Sequence, residues 1–359
     1  MRFVLFAGIL LATLVFAPVS AVFAHSPVFP EENHGPSTAY EIDDPAKSWA
    51  IYTRLERDGL ADYYKFTISE GEKIQVSLIV PDSPSHSGFL PSFALMGPGL
   101  TQHDSVPDYV EVPSGQGTIV VDAADPGKAV YEPFTPGWFY ELGTLTMNAP
   151  SDGTYYVAVF NPEIHDDTHN HVHKADSYAI IVGYLEEFTP LELILIPYTV
   201  HGIYVWEGQN QLIIFLPILL VVIIGGVIAY RRSKRGQHPR GISKWFATFG
   251  GLAFLGTAAG TIYQILFAFT RTGSTVEAFV TLAIVIVSII LGVLTLRYAL
   301  RSESKLTIWR RVGLLVIGLV ALFVWSGLYL GPVLLIAAAI MPPYITDRKN
   351  SLERIVSLV

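Results

Sequence analysis

The sequence predicts an all-β antiparallel sandwich, jelly-roll-like in outline, followed by an α-helical transmembrane bundle of about four helices. Short strand-like runs alternate with Gly, Pro, Asp and Ser between residues 37 and 184, and long apolar runs dominate after residue 211. The charge changes at the same place. Residues 25–210 contain 27 acidic and 7 basic side chains, whereas residues 211–359 contain 4 acidic and 15 basic ones. This asymmetry is typical of an acidic soluble domain joined to a membrane region with basic loops.

The first 24 residues, 1–24, have the pattern of a cleaved signal peptide. Arg2 provides the positive start, residues 3–16 are apolar, and small residues end the segment. Cleavage after Ala24 would make His25 the new N-terminus. Cleavage after Ala21 fits the pattern as well, so both sites stay open.

Four apolar runs follow the soluble domain, at 212–230, 246–269, 276–296 and 312–341. Each of the first three matches the roughly 20 residues that cross a hydrocarbon core of about 30 Å. The fourth has 30 residues and contains Gly327, Gly331 and Pro332. It therefore fits either one kinked helix or a helix followed by a re-entrant segment.

The loops between these runs predict the orientation. Residues 231–244 carry six Lys or Arg and residues 297–311 carry five, whereas the intervening loop has only Arg271. By the positive-inside rule the two basic loops are cytoplasmic and the soluble domain is extracytoplasmic. We therefore expect a multi-pass protein of the cell membrane, with the lipid bilayer as its first partner. Its regions are an ectodomain at 25–188, a juxtamembrane segment at 189–210, a transmembrane region at 211–341 and a tail at 342–359.

Composition argues against several functions. The acidic ectodomain would repel phosphate, so nucleic-acid binding is not expected. There are no cysteines, which excludes disulfides and thiolate metal sites. The apolar runs contain no Asp, Glu, Lys, Arg or His away from their ends, although ion pumps and proton relays need such groups at membrane depth. The helices are therefore interpreted as an anchor.

Two smaller patterns concern packing. Gly256 and Gly260 form a small-xxx-small face that allows close helix contact, although ordinary glycine enrichment of membrane helices explains them equally well. Tyr204 and Trp206 occupy the expected position of an outer aromatic belt. The aromatic cluster around Glu132 is either a binding surface or a cap on the sandwich core, and we favour the cap.

Seven strand candidates follow one another in the ectodomain. They are 63–68, 73–80, 92–96, 117–121, 143–147, 154–160 and 177–184. The first two alternate polar and apolar residues across a tight turn, which predicts a hairpin. Strands at this spacing without a helical period between them favour a sandwich.

Three of these segments carry a resemblance. Asp62-Tyr63-Tyr64-Lys65-Phe66-Thr67, the run Ala149–Val159 and the run Tyr178–Val182 resemble strands of bacterial pre-peptidase C-terminal domains and, more loosely, of GOLD-type sandwiches. The resemblance implies a β-sandwich that serves as an accessory binding or stabilising module. The chain departs from those families by long insertions at 81–113 and 130–142.

Histidine placement is the strongest chemical signal. Four histidines, His165, His169, His171 and His173, lie within nine residues. In an extended segment the last three share one face, because side chains alternate with period two. Such a row of imidazoles suits Cu, Ni or Zn. A solvated, polar hairpin loop is the alternative interpretation.

His25 extends this hypothesis, because a terminal histidine offers an amine and an imidazole together. The pattern of His25 with His171 and His173 is similar to copper sites in the B subunits of methane and ammonia monooxygenases. The resemblance covers the ligand pattern alone and implies no activity.

No complete catalytic signature is present, so the chain by itself is not expected to be an enzyme. The leading hypothesis is a membrane-anchored extracytoplasmic binding module, with copper as the candidate metal at His25, His165, His169, His171 and His173, acting with a membrane or envelope protein partner. A structural interaction subunit without metal is the first alternative. An accessory subunit of a copper-dependent membrane oxidase or monooxygenase is the second.

Overall fold

A computed structural model gives the fold. It describes residues 25–341 except 32, 56–58, 83–88, 125, 163–175, 238, 240 and 301–306. The signal peptide and the C-terminal tail that the sequence predicts lie outside the described residues.

Within the described residues, eleven strands form two sheets. The strands are β1 (Ser26–Val28), β2 (Tyr40–Glu41), β3 (Trp49–Leu55), β4 (Ala61–Ile68), β5 (Lys73–Pro81), β6 (Ser92–Gly97), β7 (Gly117–Val121), β8 (Val130–Glu132), β9 (Gly137–Asn148), β10 (Gly153–Phe160) and β11 (Asp176–Val182). The first sheet has the order β1-β3-β11-β5-β9-β8, and the second has the order β2-β4-β10-β6-β7.

The two sheets face each other across one core. Tyr64 and Phe66 of β4 alternate toward this core, where they meet Tyr178 and Ile180 of β11. Apolar residues at every second position thus bury one face of each strand, as the period-two pattern predicts. The β-sandwich is therefore confirmed.

The purely antiparallel arrangement is corrected. The edge strand β1 pairs in parallel with β3, and the edge strand β2 pairs in parallel with β4. Both sheets are mixed, and a jelly-roll character is not confirmed. The supposed insertion at 130–142 is part of the first sheet, because β8 and the start of β9 form a hairpin there.

Six α-helices follow in the described part of the chain. They are α1 (Pro190–Trp206), α2 (Gln211–Lys234), α3 (Ile242–Phe269), α4 (Ala278–Ala299), α5 (Ile308–Phe323) and α6 (Leu330–Ile340). By length and composition, α2, α3 and α4 are long and apolar enough to cross a membrane. The expected count of about four such helices is not confirmed, because the last apolar run is divided between α5 and α6.

The turn between α5 and α6 reverses the chain. Trp325, Gly327 and Leu328 have φ values of 54°, 77° and 53° in this turn, a conformation that non-glycine residues rarely adopt. At the opposite end, the Arg311 guanidinium donates to the carbonyl oxygens of Ala339 and Met341. The two helices therefore form a hairpin, which matches the helix followed by a returning segment.

Glycines allow α2 and α3 to approach closely. A Cβ atom at Gly256 would lie 3.0 Å from Cγ2 and 3.3 Å from the carbonyl oxygen of Ile218, and one at Gly260 would lie 3.1 Å from Cγ1 of the same residue. The small-xxx-small pattern is thus a helix contact.

The first helix, α1, connects the sandwich to the other helices. Thr189 and Glu192 form a capping box at its start, and Glu192 also accepts from Lys47 at 2.6 Å. At its end the Trp206 indole donates to the carbonyl oxygens of Thr53 at 3.1 Å and Tyr178 at 2.9 Å. Trp206 therefore binds the first sheet, a contact that the expected aromatic belt did not include.

The β8–β9 hairpin makes a second connection. Tyr131 and Trp138 are buried against Ala268 and Ala278 of the helices, and the Trp138 indole donates to the Ala268 carbonyl at 3.0 Å. Tyr131 and Trp138 of the aromatic cluster thus pack against the helices, whereas Tyr140 also packs against the sandwich core, as we favoured. It joins the two parts of the chain.

Candidate functional site

A buried line of hydrogen bonds starts at His34. Its Nδ1 lies 2.9 Å from Oδ1 of Asp62, whose side chain is 1% exposed whereas that of His34 is 27% exposed. The Tyr178 hydroxyl donates to Oδ2 of Asp62 at 2.6 Å, and the Tyr64 hydroxyl lies 2.7 Å from that of Tyr178. Because Tyr178 gives its proton to the carboxylate, Tyr64 donates to Tyr178.

Local structure holds each member in place. Asp62 and Tyr64 are alternate residues of β4 and so share its inward face. Backbone and side-chain hydrogen bonds between Asn33 and Tyr63 fix the segment before His34 against this strand. Burial raises the pKa of Tyr178 well above its usual range, so its hydroxyl keeps its proton to donate.

His34, where this line starts, lies at one end of the sandwich. We call it the histidine end and define it by Leu55, Ala61, Phe160 and Asp176. Ala61 pairs with Phe160, and Leu55 pairs with Asp176. The described residues that flank segment 163–175 are therefore at the same end as His34. His165, His169, His171 and His173 themselves lie outside the described residues.

The chemistry of this arrangement is that of an oriented imidazole. A carboxylate oxygen can only accept, so Nδ1 of His34 carries the proton of this hydrogen bond. Metal-binding histidines in proteins are typically oriented by a carboxylate in this way, which also raises the basicity of the ligand. His34 is therefore oriented in the way that metal-ligating histidines are.

His25 lies at the other end of the first sheet. It precedes Ser26, which pairs with Trp49, whereas Asp176 pairs with Leu55 six residues further along β3. At about 3.3 Å per residue, the two ends are roughly 20 Å apart. The structure thus brings His34, and not His25, to the end where segment 163–175 is attached.

The His25 ring is enclosed between the first sheet and α1. Its Nδ1 lies 2.7 Å from the Ser48 hydroxyl, and burial lowers its pKa to about 4. The imidazole is therefore neutral at physiological pH, which is the form that binds metals. Chelation together with a terminal amine would use Nδ1, the ring nitrogen nearer the backbone, and would have to displace Ser48.

Two carboxyl groups line the same small cavity as His25, which has a volume of about 30 Å³. Burial raises the pKa of Glu132 to about 7 and that of Glu207 to about 8. Glu132 accepts from the Phe134 backbone at 3.0 Å, and Glu207 accepts from the Gln209 amide at 2.9 Å. These carboxyl groups hold protons near neutral pH, inside the contact between sandwich and helices.

Neither the histidine end nor the His25 cavity forms a complete metal site from the described residues alone. Among them, no three His, Asp or Glu side chains lie close enough together to hold a metal ion. Each location has one described imidazole, so further ligands are needed at either place.

Comparisons with known proteins add little. No family model matches the chain, and no curated protein matches it. Among solved structures, it is similar to the pre-peptidase C-terminal domain of a collagenase from Bacillus anthracis, at 17% identity over 42% of this chain and 94% of that one, with a TM-score of 0.20.

Two copper-binding proteins give similar values. CorA, a surface-associated protein of Methylomicrobium album BG8, is 14% identical over 45% of this chain and 99% of its own, with a TM-score of 0.20. The secreted protein MopE of Methylococcus capsulatus is 12% identical over 44% and 98%, with a TM-score of 0.20. At these TM-scores the likenesses carry no argument about this chain.

The sequence pattern missed His34 as a site residue. Asp62 and Tyr64 belong to the motif that carries the family resemblance, but His34 lies 28 residues before Asp62 and has no histidine neighbour in the sequence. A signal did exist, because Asp62 is a charged residue in a strand whose alternate positions are all apolar.

Proposed function

We propose that the chain is a membrane-anchored extracytoplasmic module that binds a transition metal, with copper as the expected ion, through histidines of its ectodomain. The observation that carries the proposal is the His34–Asp62 pair, an imidazole oriented by a buried carboxylate at 2.9 Å. The basic loops at 231–244 and 297–311 support the extracytoplasmic placement in this proposal.

In this proposal His34 supplies Nε2, and His165, His169, His171 and His173 supply the remaining nitrogens. Imidazole ligands suit Cu, Ni and Zn, and affinity is highest for Cu(II) in the general order of divalent metals. The net charge of −20 in residues 25–210 attracts cations to the domain. His25 remains a separate candidate, at the other end of the sheet.

A copper titration tests the proposal. Mature full-length protein in detergent, with its N-terminus established by mass spectrometry, would be stripped of metal and titrated with Cu(II) against a competing chelator. We expect one tight equivalent, lost in His34→Ala and in the triple variant His169→Ala, His171→Ala, His173→Ala. Asp62→Asn should weaken binding by about 10-fold to 100-fold, because it no longer orients His34.

Control variants locate the site. His103→Ala changes an exposed histidine elsewhere on the sandwich and should leave affinity unchanged. If His25→Ala, or one extra residue before His25, abolished binding while His34→Ala did not, the metal would belong to the His25 cavity and the His34 assignment would be wrong.

A second candidate function is a structural interaction subunit without metal. The sequence leaves this function open, because a solvated, polar loop would explain His165, His169, His171 and His173 as well. Absence of tight copper binding in every variant and in the wild type would support it, and its role would then be sought in a membrane or envelope partner.

A further inference from the structure

Helix α1 exposes no charged side chain. All 17 of its residues are described, and the exposed ones are Pro190, Leu191, Ile194, Leu195, Tyr198 and Val205. A helix whose outer side meets water normally presents charged and polar residues there. The outer side of α1 is apolar instead, so it is unsuited to contact with water.

The exposed side chains of α1 form one stripe. Counted from Leu191, they recur after three, four, seven and fourteen residues, which is the spacing of a single helix face. Gly202 falls in this stripe and is covered by Phe29 of the sandwich, whose Cζ atom lies 2.6 Å from the position of a Cβ atom there. Phe29 is itself 40% exposed, so the stripe continues onto the sandwich. We call this stripe the α1 surface and define it by Leu191, Ile194, Leu195, Tyr198, Val205 and Phe29.

The opposite side of α1 packs beside the other helices. The His201 ring lies on Phe215, the fifth residue of α2, with centroids 4.8 Å apart. The Trp325 indole, in the turn between α5 and α6, donates to the Leu193 carbonyl at 2.9 Å. Both contacts lie within the helical bundle and not above its end, so α1 is inserted alongside it.

The depth of this insertion can be read along α3. In the α5–α6 turn the Gly327 amide donates to the Thr257 hydroxyl at 2.9 Å. Thr257 lies 12 residues before Phe269, the end of α3 on the side of the sandwich, or roughly 18 Å. The 28 residues of α3 are about 42 Å long, about 12 Å more than a hydrocarbon core. Even with this whole excess on the side of the sandwich, Thr257 would lie about 6 Å inside the core.

We propose that the α1 surface contacts the lipids of the outer leaflet, so that α1 lies along the membrane interface and holds the edge of the sandwich against it. This inference rests on the membrane anchoring proposed above. Lipid is favoured over a protein partner because α1 packs at the depth of the hydrocarbon and leads directly into α2. The exposed side chains at the start of α2, Leu212, Ile213 and Leu216, are apolar as well. Insertion of an apolar helix face into the interface is favourable because it removes that face from water.

Spin labels on the α1 surface test this contact. The chain has no cysteine, so the variants Leu195→Cys and Tyr198→Cys each carry a single nitroxide, and both side chains are exposed. Full-length protein in lipid nanodiscs would be examined by electron paramagnetic resonance with oxygen, which concentrates in hydrocarbon, and with a neutral, water-soluble nickel chelate. We expect collisions with oxygen to exceed those with nickel at both positions.

Two further labels provide the references. Ile223→Cys is near the middle of α2 at a side chain that is 59% exposed, and it should give the oxygen-dominated result of a lipid contact. Val112→Cys is on the sandwich at an apolar side chain that is 39% exposed, and it should give the nickel-dominated result of a contact with water.

The outcomes separate this proposal from the anchoring on which it rests. If Leu195 and Tyr198 match Val112 while Ile223 is oxygen-dominated, the chain is anchored but the α1 surface faces water, and the proposal is overturned. Shielding of Leu195 and Tyr198 from both reagents would overturn it in favour of a protein partner or a second copy of the chain. A nickel-dominated result at Ile223 would contradict the anchoring, and the lipid contact with it.

Discussion

Tyr178 shows how a single hydroxyl group connects the two sheets. Its ring belongs to β11 of the first sheet, whereas its partners Asp62 and Tyr64 belong to β4 of the second. A carboxylate buried to 1% exposure needs donors, because desolvation of an unpaired charge is costly. The sandwich core is therefore specified by polar contacts as well as by its apolar side chains.

Removal of this hydroxyl should destabilise the sandwich strongly. Tyr178→Phe takes a charge-assisted hydrogen bond from Asp62 and leaves Tyr64 without its acceptor, so we expect a loss of about 2–3 kcal/mol. The measurement is the midpoint of thermal unfolding, followed by the β-sheet signal in circular dichroism.

Tyr155→Phe is the matched control for this variant. The Tyr155 hydroxyl donates to neutral carbonyl groups, those of Pro98 and Ser151, so its loss should cost only about 1 kcal/mol. Equal effects of the two substitutions would contradict the account of Asp62 as a buried charge.

At this scale the sequence predicted residue environments better than residue partners. Asp62, Tyr64 and Tyr178 were all assigned to strands correctly, and their inward positions follow from alternation. The pairing of His34 with Asp62 depends on a contact between a loop and a strand, which no local pattern encodes. The same holds for His25, which the parallel pairing of β1 with β3 encloses beneath α1.

The α2–α3 contact is the element for which sequence and structure agree most directly. Gly256 and Gly260 both face Ile218, so the helix axes approach more closely than larger residues would permit. The contact is specific in shape, since a single isoleucine occupies the groove that the two glycines form.

A side chain at Gly256 should therefore separate the helices. Gly256→Val places methyl groups where a Cβ atom already lies 3.0 Å from Ile218, and we expect a destabilisation of about 1–3 kcal/mol from overpacking. Unfolding in a titration with a denaturing detergent measures it. In the double variant Gly256→Val, Ile218→Ala much of the lost stability should be restored. If the destabilisations of the two single variants simply add, this contact is contradicted.

Elements with strong periodicity were predicted, and short or interrupted ones were not. All seven strand candidates were found, but β1, β2 and β8 have only two or three residues and show no alternation. Strand β3 was missed because the polar Thr53 stands between Ile51 and Leu55 on its inward face. The sequence did not decide whether residues 312–341 form one helix or two. Apolar composition does not reveal a turn with positive φ angles.

For the whole molecule, the contact between sandwich and helices makes the stability depend on pH. Glu132 and Glu207 lie in this contact with pKa values raised by burial to about 7 and about 8. An unfolded glutamate has a pKa of about 4.3. Between these values the folded state holds protons that the unfolded state releases, so stability falls as pH rises.

We therefore expect the contribution of Glu132 and Glu207 to thermal stability to be highest near or below about pH 4.3. It should decrease as the pH rises to about 8. Glu207→Gln keeps an oxygen that accepts from Gln209 but removes the titration. The variant should unfold at a higher temperature than the wild type at pH 8.5, and the difference should shrink toward pH 5.

Glu111→Gln is the control, because Glu111 is exposed. It should leave the pH profile unchanged. A Glu207→Gln protein that is less stable than the wild type at pH 8.5 would show that the ionised carboxylate stabilises the contact and that the pKa is not raised.

The layout of the whole chain is a sandwich followed by apolar helices. It was predictable because hydropathy and polar–apolar alternation are visible within short segments of the sequence. The contact between the two parts was not. The Trp138 indole reaches a carbonyl 130 residues away, and the Trp206 indole reaches two carbonyls, 28 and 153 residues away. The sequence had predicted a membrane belt for Trp206 and favoured a core cap for the cluster that contains Trp138.

The attachment of α1 at both of its ends has one more consequence. Lys47 binds its first turn and the first sheet binds Trp206, so the sandwich has no free tether on which to swing. If the helices span a membrane as proposed, a module held in this way keeps its histidine end at a nearly constant height above it. A membrane-bound partner would instead meet it by diffusion in the plane of the bilayer, a two-dimensional search in which confinement, and not linker length, sets the effective concentration.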